Sequence, residues 1–216
     1  ISKNFQWDVK TIATNRFQYV RANVFDIDKY SSLIKVDAFI IYMAGSTNLV
    51  KAQSRPIEDF EYHISAFLKF SHILQPTHRL MFFSSAGTVY GELSSMHNSE
   101  DQSLHPKSVY GHRYKLLEEI VSSVCSLKSL DFMILRLANP IGLNQLYVSR
   151  KGLIFTLIAS CIDNRLVEVR GNGYQRRDYF CINDLCSIII ALIKSKLPFA
   201  FDMLNVGSGK SYSGRE

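Results

Sequence analysis

The chain has 216 residues, of which 47% are hydrophobic, 20% charged and 12% aromatic. That composition excludes a disordered or fibrous protein and suffices for one sizeable core. Lys and Arg number 25 against 19 Asp and Glu, a net charge of +6 that favours anionic ligands. The basic residues form no block, and Arg176-Arg177 is followed at once by Asp178, so a small-molecule anion fits better than nucleic acid. Four cysteines without a CxxC pair suit a reducing compartment better than a disulfide framework or a zinc site. The histidines include no HExxH, and no metal is expected. The longest apolar run, Ala38–Ala44, is far short of the ~20 residues needed to cross a bilayer. With no signal pattern at the start, the expectation is a cytoplasmic protein without a membrane partner.

In chain order, short apolar runs at Phe17–Val20, Phe39–Met43, Leu80–Phe83 and Phe132–Leu137 read as parallel strands buried on both faces. Between the second and third, Phe60, Ile64, Phe67, Leu68 and Ile73 recur at helical spacing, so a helix is predicted over Ile57–Leu74 behind Pro56. Between the third and fourth, a helix from about Tyr110 to Leu127 carries Leu116, Leu117, Ile120, Val121 and Val124 on one face. This order predicts an α/β fold with a doubly wound, incomplete Rossmann-like parallel sheet. After Asn139-Pro140 the texture changes to a helix near Leu153–Ile162, a short strand at Leu166–Val169 and a turn at Gly171–Gly173. A helix at Ile182–Lys194 and a strand at Met203–Val206 follow. Residues 1–140 are therefore read as a partial dinucleotide-binding domain and 141–216 as a smaller, interleaved substrate-binding lobe.

In an open parallel sheet, ligands bind outside the carboxyl ends of the strands. Three such ends carry small or hydroxylated residues: Met43-Ala44-Gly45-Ser46, Ser84-Ser85-Ala86-Gly87-Thr88, and Ala138-Asn139-Pro140. Their convergence points to a polyol or phosphate site, although turn chemistry alone explains part of the pattern.

The segments Val36–Gly45, Phe82–Gly91, Ser108–Gly111, Leu135–Pro140 and Gly171–Tyr179 together resemble, in order and spacing, the extended short-chain dehydrogenases that act on nucleotide sugars, the NAD-dependent epimerase/dehydratase family. The resemblance implies NAD as cofactor, a nucleotide-diphosphate sugar as ligand, a role in carbohydrate metabolism such as polysaccharide biosynthesis, and a homodimer as one arrangement. It implies transient oxidation of a sugar hydroxyl, with Tyr110 as base, Lys115 as the cation that lowers its pKa, and Ser85 or Thr88 as the assisting hydroxyl. A phenol titrating near 10 needs such a cation to act at neutral pH. By the same resemblance Asn23, Val24, Met43, Ala44, Gly45, Ser84, Tyr110, Lys115, Leu137 and Pro140 contact the cofactor, while Asn139 and Arg177 contact the sugar diphosphate.

Several positions depart from the family pattern. The lysine follows the tyrosine by five residues instead of four, position 114 being Tyr, and a one-residue π-bulge would be needed to return Lys115 to the site. Ala86 stands at the usual Ser/Thr position, Asn23 replaces an acid, and His63 stands where an asparagine is usual. Nothing in Ile1–Arg16 resembles the family's glycine-rich pyrophosphate loop, so truncation at the N-terminus, and at the C-terminus near Ser213–Glu216, is expected. Gly87 and Thr88 cannot serve as the acids that dehydratases place there. The first expectation is therefore a nucleotide-sugar epimerase acting at C4 through a keto intermediate. A keto-reductase or dehydratase of the same family, or an inactive remnant that only binds, are the alternatives.

Overall fold

The computed structural model describes residues 20–45, 49–91, 98–142, 152–167, 172–195, 198–199 and 202–216. Four parallel strands form the main sheet in the order β1-β2-β3-β6: β1 (Phe39–Tyr42), β2 (Arg79–Ser85), β3 (Asp131–Leu137) and β6 (Met203–Val206). The parallel α/β architecture expected from the sequence is thus present. Residues 17–19 of the expected first strand lie outside the described residues, and Val20 belongs to no element.

The strands are apolar on both faces because successive side chains alternate. Leu80 and Phe82 of β2, with Phe132 and Ile134 of β3, point to a core shared with Phe67, Phe70, Leu117 and Val121. Those four residues come from α2 (Pro56–Ser71) and α4 (Val109–Leu127). Met81, Met133 and Leu135 point the other way, into a core shared with Phe180 of the strand Arg176–Cys181 and Leu185 of the helix Ile182–Ser195. Helix α2 begins with Pro56 at a position where a missing N–H costs nothing, with Glu58 and Asp59 in its first turn. Helix α4 is capped by Ser108, whose Oγ accepts from the Gly111 N–H at 3.1 Å.

The remaining elements are a 3-10 helix at Val24–Leu33 and helices α1 (Leu49–Ser54), α3 (Ala86–Val89), α5 (Leu153–Ile162) and α6 (Ile182–Ser195). A second sheet pairs β4 (Asn139–Ile141) in parallel and β7 (Ser211–Ser213) in antiparallel fashion with β5 (Arg176–Cys181). Leu166 and Val167 form no strand, contrary to the sequence reading, and 168–169 lie outside the described residues. Leu166 is fully exposed and packs on no core, so its apolar character carries no strand signal. The strand at Met203–Val206 joins the main sheet through β3.

A buried polar network ties α4 to this sheet. Arg136 of β3 donates to Glu118 of α4 through Nε at 3.2 Å and Nη2 at 2.8 Å, and to the Tyr90 hydroxyl through Nη1 at 2.9 Å. Ser84 of β2 donates to the same Glu118 carboxylate, and Tyr90 donates to Asn205 of β6 at 2.7 Å. Glu118 and Arg136 are 3% and 4% exposed, so neither charge has water to fall back on. Removing one member leaves the other buried and unpaired, which costs about 3–5 kcal/mol. Arg136→Leu should therefore lower the urea-unfolding free energy by that amount, and the double variant with Glu118→Leu should lose less than Arg136→Leu alone.

Candidate active site

The carboxyl ends of β1, β2 and β3 and the first turns of α4 enclose an open crevice of about 300 Å³. Met43 and Ala44 line it beyond β1, Ser84 and Ser85 at the end of β2, and Leu137, Ala138 and Pro140 beyond β3. His63 contributes from α2, and Tyr110, Arg113, Tyr114 and Leu117 from α4. Those α4 residues stand at i, i+3, i+4 and i+7, the spacing of a single helix face.

Gly111 lets α4 approach this closely. A Cβ there would lie 2.5 Å from the Thr88 carbonyl oxygen, which is backbone and has nowhere to move. Asp59 and His63 of α2 meet Arg113 beneath the crevice. Arg113 Nη1 lies 3.0 Å from both Asp59 carboxylate oxygens, and all three residues are at most 4% exposed. His63 Nδ1 lies 2.7 Å from the Asp59 carbonyl oxygen, which can only accept, so Nδ1 carries the proton and Nε2 is left as acceptor. Burial lowers the His63 pKa, and the Arg113 charge acts in the same direction. Gly45, at φ +154°, passes His63 so closely that a Cβ would stand 3.2 Å from the ring.

The guanidinium of Arg113 lies 4.6 Å from the Tyr110 ring centroid and 4.7 Å from that of Tyr114. The Tyr110 hydroxyl donates to the Tyr114 hydroxyl at 3.4 Å, a long contact. Burial holds the Tyr110 hydroxyl well above its ordinary pKa, with Tyr114 adding to the rise and Arg113 offsetting part of it.

Of the residues expected to contact a cofactor, Met43, Ala44, Ser84, Tyr110, Leu137 and Pro140 line the crevice; Asn23, Val24, Gly45 and Lys115 do not. Asn23 caps the 3-10 helix by accepting from the Phe25 N–H at 3.1 Å, and Val24 packs against the core. Ser85 lines the crevice, whereas Thr88 turns back to donate to the Ser85 carbonyl at 3.3 Å.

Lys115 lies away from the crevice. Helix α4 is regular α-helix without a π turn, so five residues rotate Lys115 about 140° from Tyr110. Its ammonium donates to the Leu104 carbonyl at 3.4 Å. The structure does not bring the two residues together, and among the described residues no lysine lines the crevice.

Asn139 and Arg177 also stay out of the crevice: the Asn139 amide donates to the Asp178 carbonyl at 2.9 Å, and Arg177 Nη1 donates to the Arg176 carbonyl at 3.0 Å. Asp178 instead accepts from the Ser208 N–H, the Ser208 hydroxyl and the Gly209 N–H at 3.0, 2.7 and 3.0 Å. The Gly207–Ser211 segment is therefore a turn pinned by a carboxylate. Sequence reasoning missed Asp59 and Arg113, because residues 54 positions apart are joined only by the packing of α2 on α4.

The sequence pattern of the NAD-dependent epimerase/dehydratase family matches residues 3–207. The chain belongs to that family. It is 23% identical over 207 residues to a UDP-glucose 4-epimerase of Mycolicibacterium smegmatis, covering 94% of this chain and 65% of that one. A dTDP-4-dehydro-6-deoxyglucose reductase of Escherichia coli is 29% identical over 133 residues, 62% of this chain and 41% of its own length. Among solved structures, a Streptomyces venezuelae dTDP-glucose 4,6-dehydratase with NAD bound superposes with a TM-score of 0.83 at 20% identity, over 96% of this chain and 63% of that one. A Bacillus cereus UDP-glucuronic acid 4-epimerase gives 0.82 at 20%, over 95% and 65%. The chain thus spans just under two thirds of the length of these longer matches.

The NAD named by the family can be tested against this crevice. Its walls fit a flat ring: Met43, Ala44, Leu137, Ala138 and Pro140 give an apolar, mostly small surface at the strand ends. Among the described residues no helix is long and apolar enough to cross a membrane.

Because the folded-state pKa of His63 lies below its ordinary 6.5, the unfolded chain takes up the proton first as pH falls. Stability from His63 should be complete above about pH 7 and decline as pH drops below 6.5. The slope measured by urea unfolding from pH 7.5 to 5 should flatten in His63→Gln. Gly111→Ala should cost about 1–3 kcal/mol in the same assay through the clash with Thr88.

Proposed function

We propose that the protein binds a nucleotide-diphosphate sugar at the carboxyl ends of β1–β3, in the manner of the sugar 4-epimerases, and that the native chain holds this ligand without interconverting it. The substrate class is supported by family membership and by the crevice itself, whose Ser85 and Tyr110 hydroxyls suit a sugar and whose apolar wall suits a ring. NAD, when bound, supplies a hydride acceptor; Met43, Ala44, Ser84, Leu137 and Pro140 are the residues that would hold it. The 4-epimerase type is preferred because Gly87 and Thr88 offer no acid for expelling water from a sugar.

The observation that carries the absence of turnover is Lys115. Proton abstraction from a sugar alcohol by Tyr110 needs a phenolate, and each unit by which its pKa stays high costs a factor of ten in the reactive form. With Lys115 bonded to Leu104 on another face of α4, the cation expected to stabilise that phenolate is elsewhere. Tyr110 and Ser85 then act as hydrogen-bonding groups toward the ligand hydroxyls, Tyr110 as a donor.

Calorimetric titration of the full-length protein with UDP-glucose and UDP-galactose should show saturable binding that Ser85→Ala weakens. Incubation with either sugar and NAD should leave it unconverted. Turnover of about 1 s⁻¹ or more, in the ordinary range of enzymes, would contradict the reading.

A further inference from the structure

We propose that Asn172 is a self-modifying site: the backbone nitrogen of Gly173 attacks its side-chain amide, and the asparagine becomes aspartate or isoaspartate in the folded protein. The site lies outside the crevice, in the segment that leads into β5, and does not depend on what the crevice binds.

Asparagine is one of the thermolabile residue types, and the backbone nitrogen that follows it is the group placed to attack its amide. Asn172 is the only asparagine of the chain that a glycine follows, and it is exposed. Gly173 has no Cβ to obstruct the attack, and its φ of +76° is one that other residues rarely adopt. The side chain is already turned toward its nucleophile. Asn172 Oδ1 accepts from the Tyr174 N–H at 3.1 Å, and the ring closed by that bond contains both Asn172 Cγ and the Gly173 nitrogen. The same bond receives the negative charge that develops on Oδ1 as Cγ is attacked.

Arg215 acts on the nucleophile. Its Nε donates at 2.9 Å to the Asn172 carbonyl oxygen, which is conjugated with the Gly173 nitrogen. A cation at that oxygen stabilises the amidate form of the nitrogen, which is the attacking species. Tyr174 holds Arg215 there: its hydroxyl accepts from Nη1 at 3.1 Å, and its ring centroid lies 4.2 Å from the guanidinium carbon. Arg215 also packs so closely on Gly173 that a Cβ there would stand 3.2 Å from Arg215 Cγ.

The reaction needs only water as co-reactant. The Gly173 nitrogen loses its proton and bonds to Asn172 Cγ; the Cγ–Nδ2 bond breaks, and Nδ2 takes up the proton and leaves as ammonia. Water then opens the cyclic imide at one of its two carbonyl carbons. One opening leaves aspartate, and the other leaves isoaspartate, whose main chain runs through Cγ and is one carbon longer. Either product places a new carboxylate on the residue whose carbonyl Arg215 already binds, so the segment before β5 carries a slow charge switch.

The test is incubation of the full-length protein at physiological temperature and mildly alkaline pH, beside a synthetic peptide of residues 170–177. Conversion of Asn172 is followed by mass spectrometry and by labelling with isoaspartyl methyltransferase. The peptide lacks Arg215 and the fixed Tyr174 bond, so Asn172 should convert about threefold or more faster in the protein. Arg215→Met, a change to an exposed side chain, should slow the protein toward the peptide's rate. A protein rate less than about threefold above the peptide's, or an Arg215→Met rate equal to native, would overturn the proposal. The peptide comparison uses no variant, so it decides the matter even if Arg215→Met does not fold.

Discussion

The ion pair between Glu118 and Arg136 fixes the rotation of α4 about its own axis, and the crevice inherits its chemistry from that rotation. The carboxylate is held at once by β3 through Arg136 and by β2 through Ser84, so turning the helix would break several buried bonds together. Two further contacts fix the same angle at the other end of the helix: the Ser108 cap and the approach of Gly111 to Thr88. With the angle fixed, 100° per residue decides everything else: Tyr110, Arg113, Tyr114 and Leu117 face the crevice, and Lys115 faces Leu104. A π turn between 110 and 115 would shift the register of Glu118 against Arg136, so the network that stabilises the fold also opposes the rearrangement that Lys115 requires.

Family membership and local chemistry thus point in different directions. The fold is shared with proteins named as a sugar 4-epimerase and a dehydratase. In this crevice a phenol stands beside Tyr110, and Arg113 is committed to the buried Asp59 carboxylate. Fold is set by the backbone course, whereas function is a matter of the individual side chains in the site.

Much of this was legible in the sequence. The runs at Phe39–Met43, Leu80–Phe83 and Phe132–Leu137 mark β1, β2 and β3, because strands buried on both faces are apolar throughout; Leu153–Ile162 and Met203–Val206 coincide with their elements. Arg79, Ser84, Ser85 and Asp131 belong to strands too, yet polar residues at strand ends break an apolar run and were not counted. β5, with Arg-Arg-Asp at its start, was missed because its residues serve hydrogen bonds and turns more than a core. In the site, the strand-end rule pointed to Met43, Ala44, Ser84, Ser85, Ala138 and Pro140, which line the crevice, and the spacing of Tyr110 and Lys115 exposed the mismatch. Asp59 and Arg113 were invisible because their pairing exists only once α2 packs on α4.

The central claim is that the crevice face of α4 carries Tyr114 and not Lys115. A high-resolution crystal structure of the full-length protein with a nucleotide-diphosphate sugar tests it most directly. The account predicts α4 as uninterrupted α-helix, with the Tyr114 hydroxyl beside Tyr110 and the Lys115 nitrogen near the Leu104 carbonyl. A π turn that carries the Lys115 nitrogen into hydrogen-bonding distance of the Tyr110 oxygen or of the ligand would contradict it.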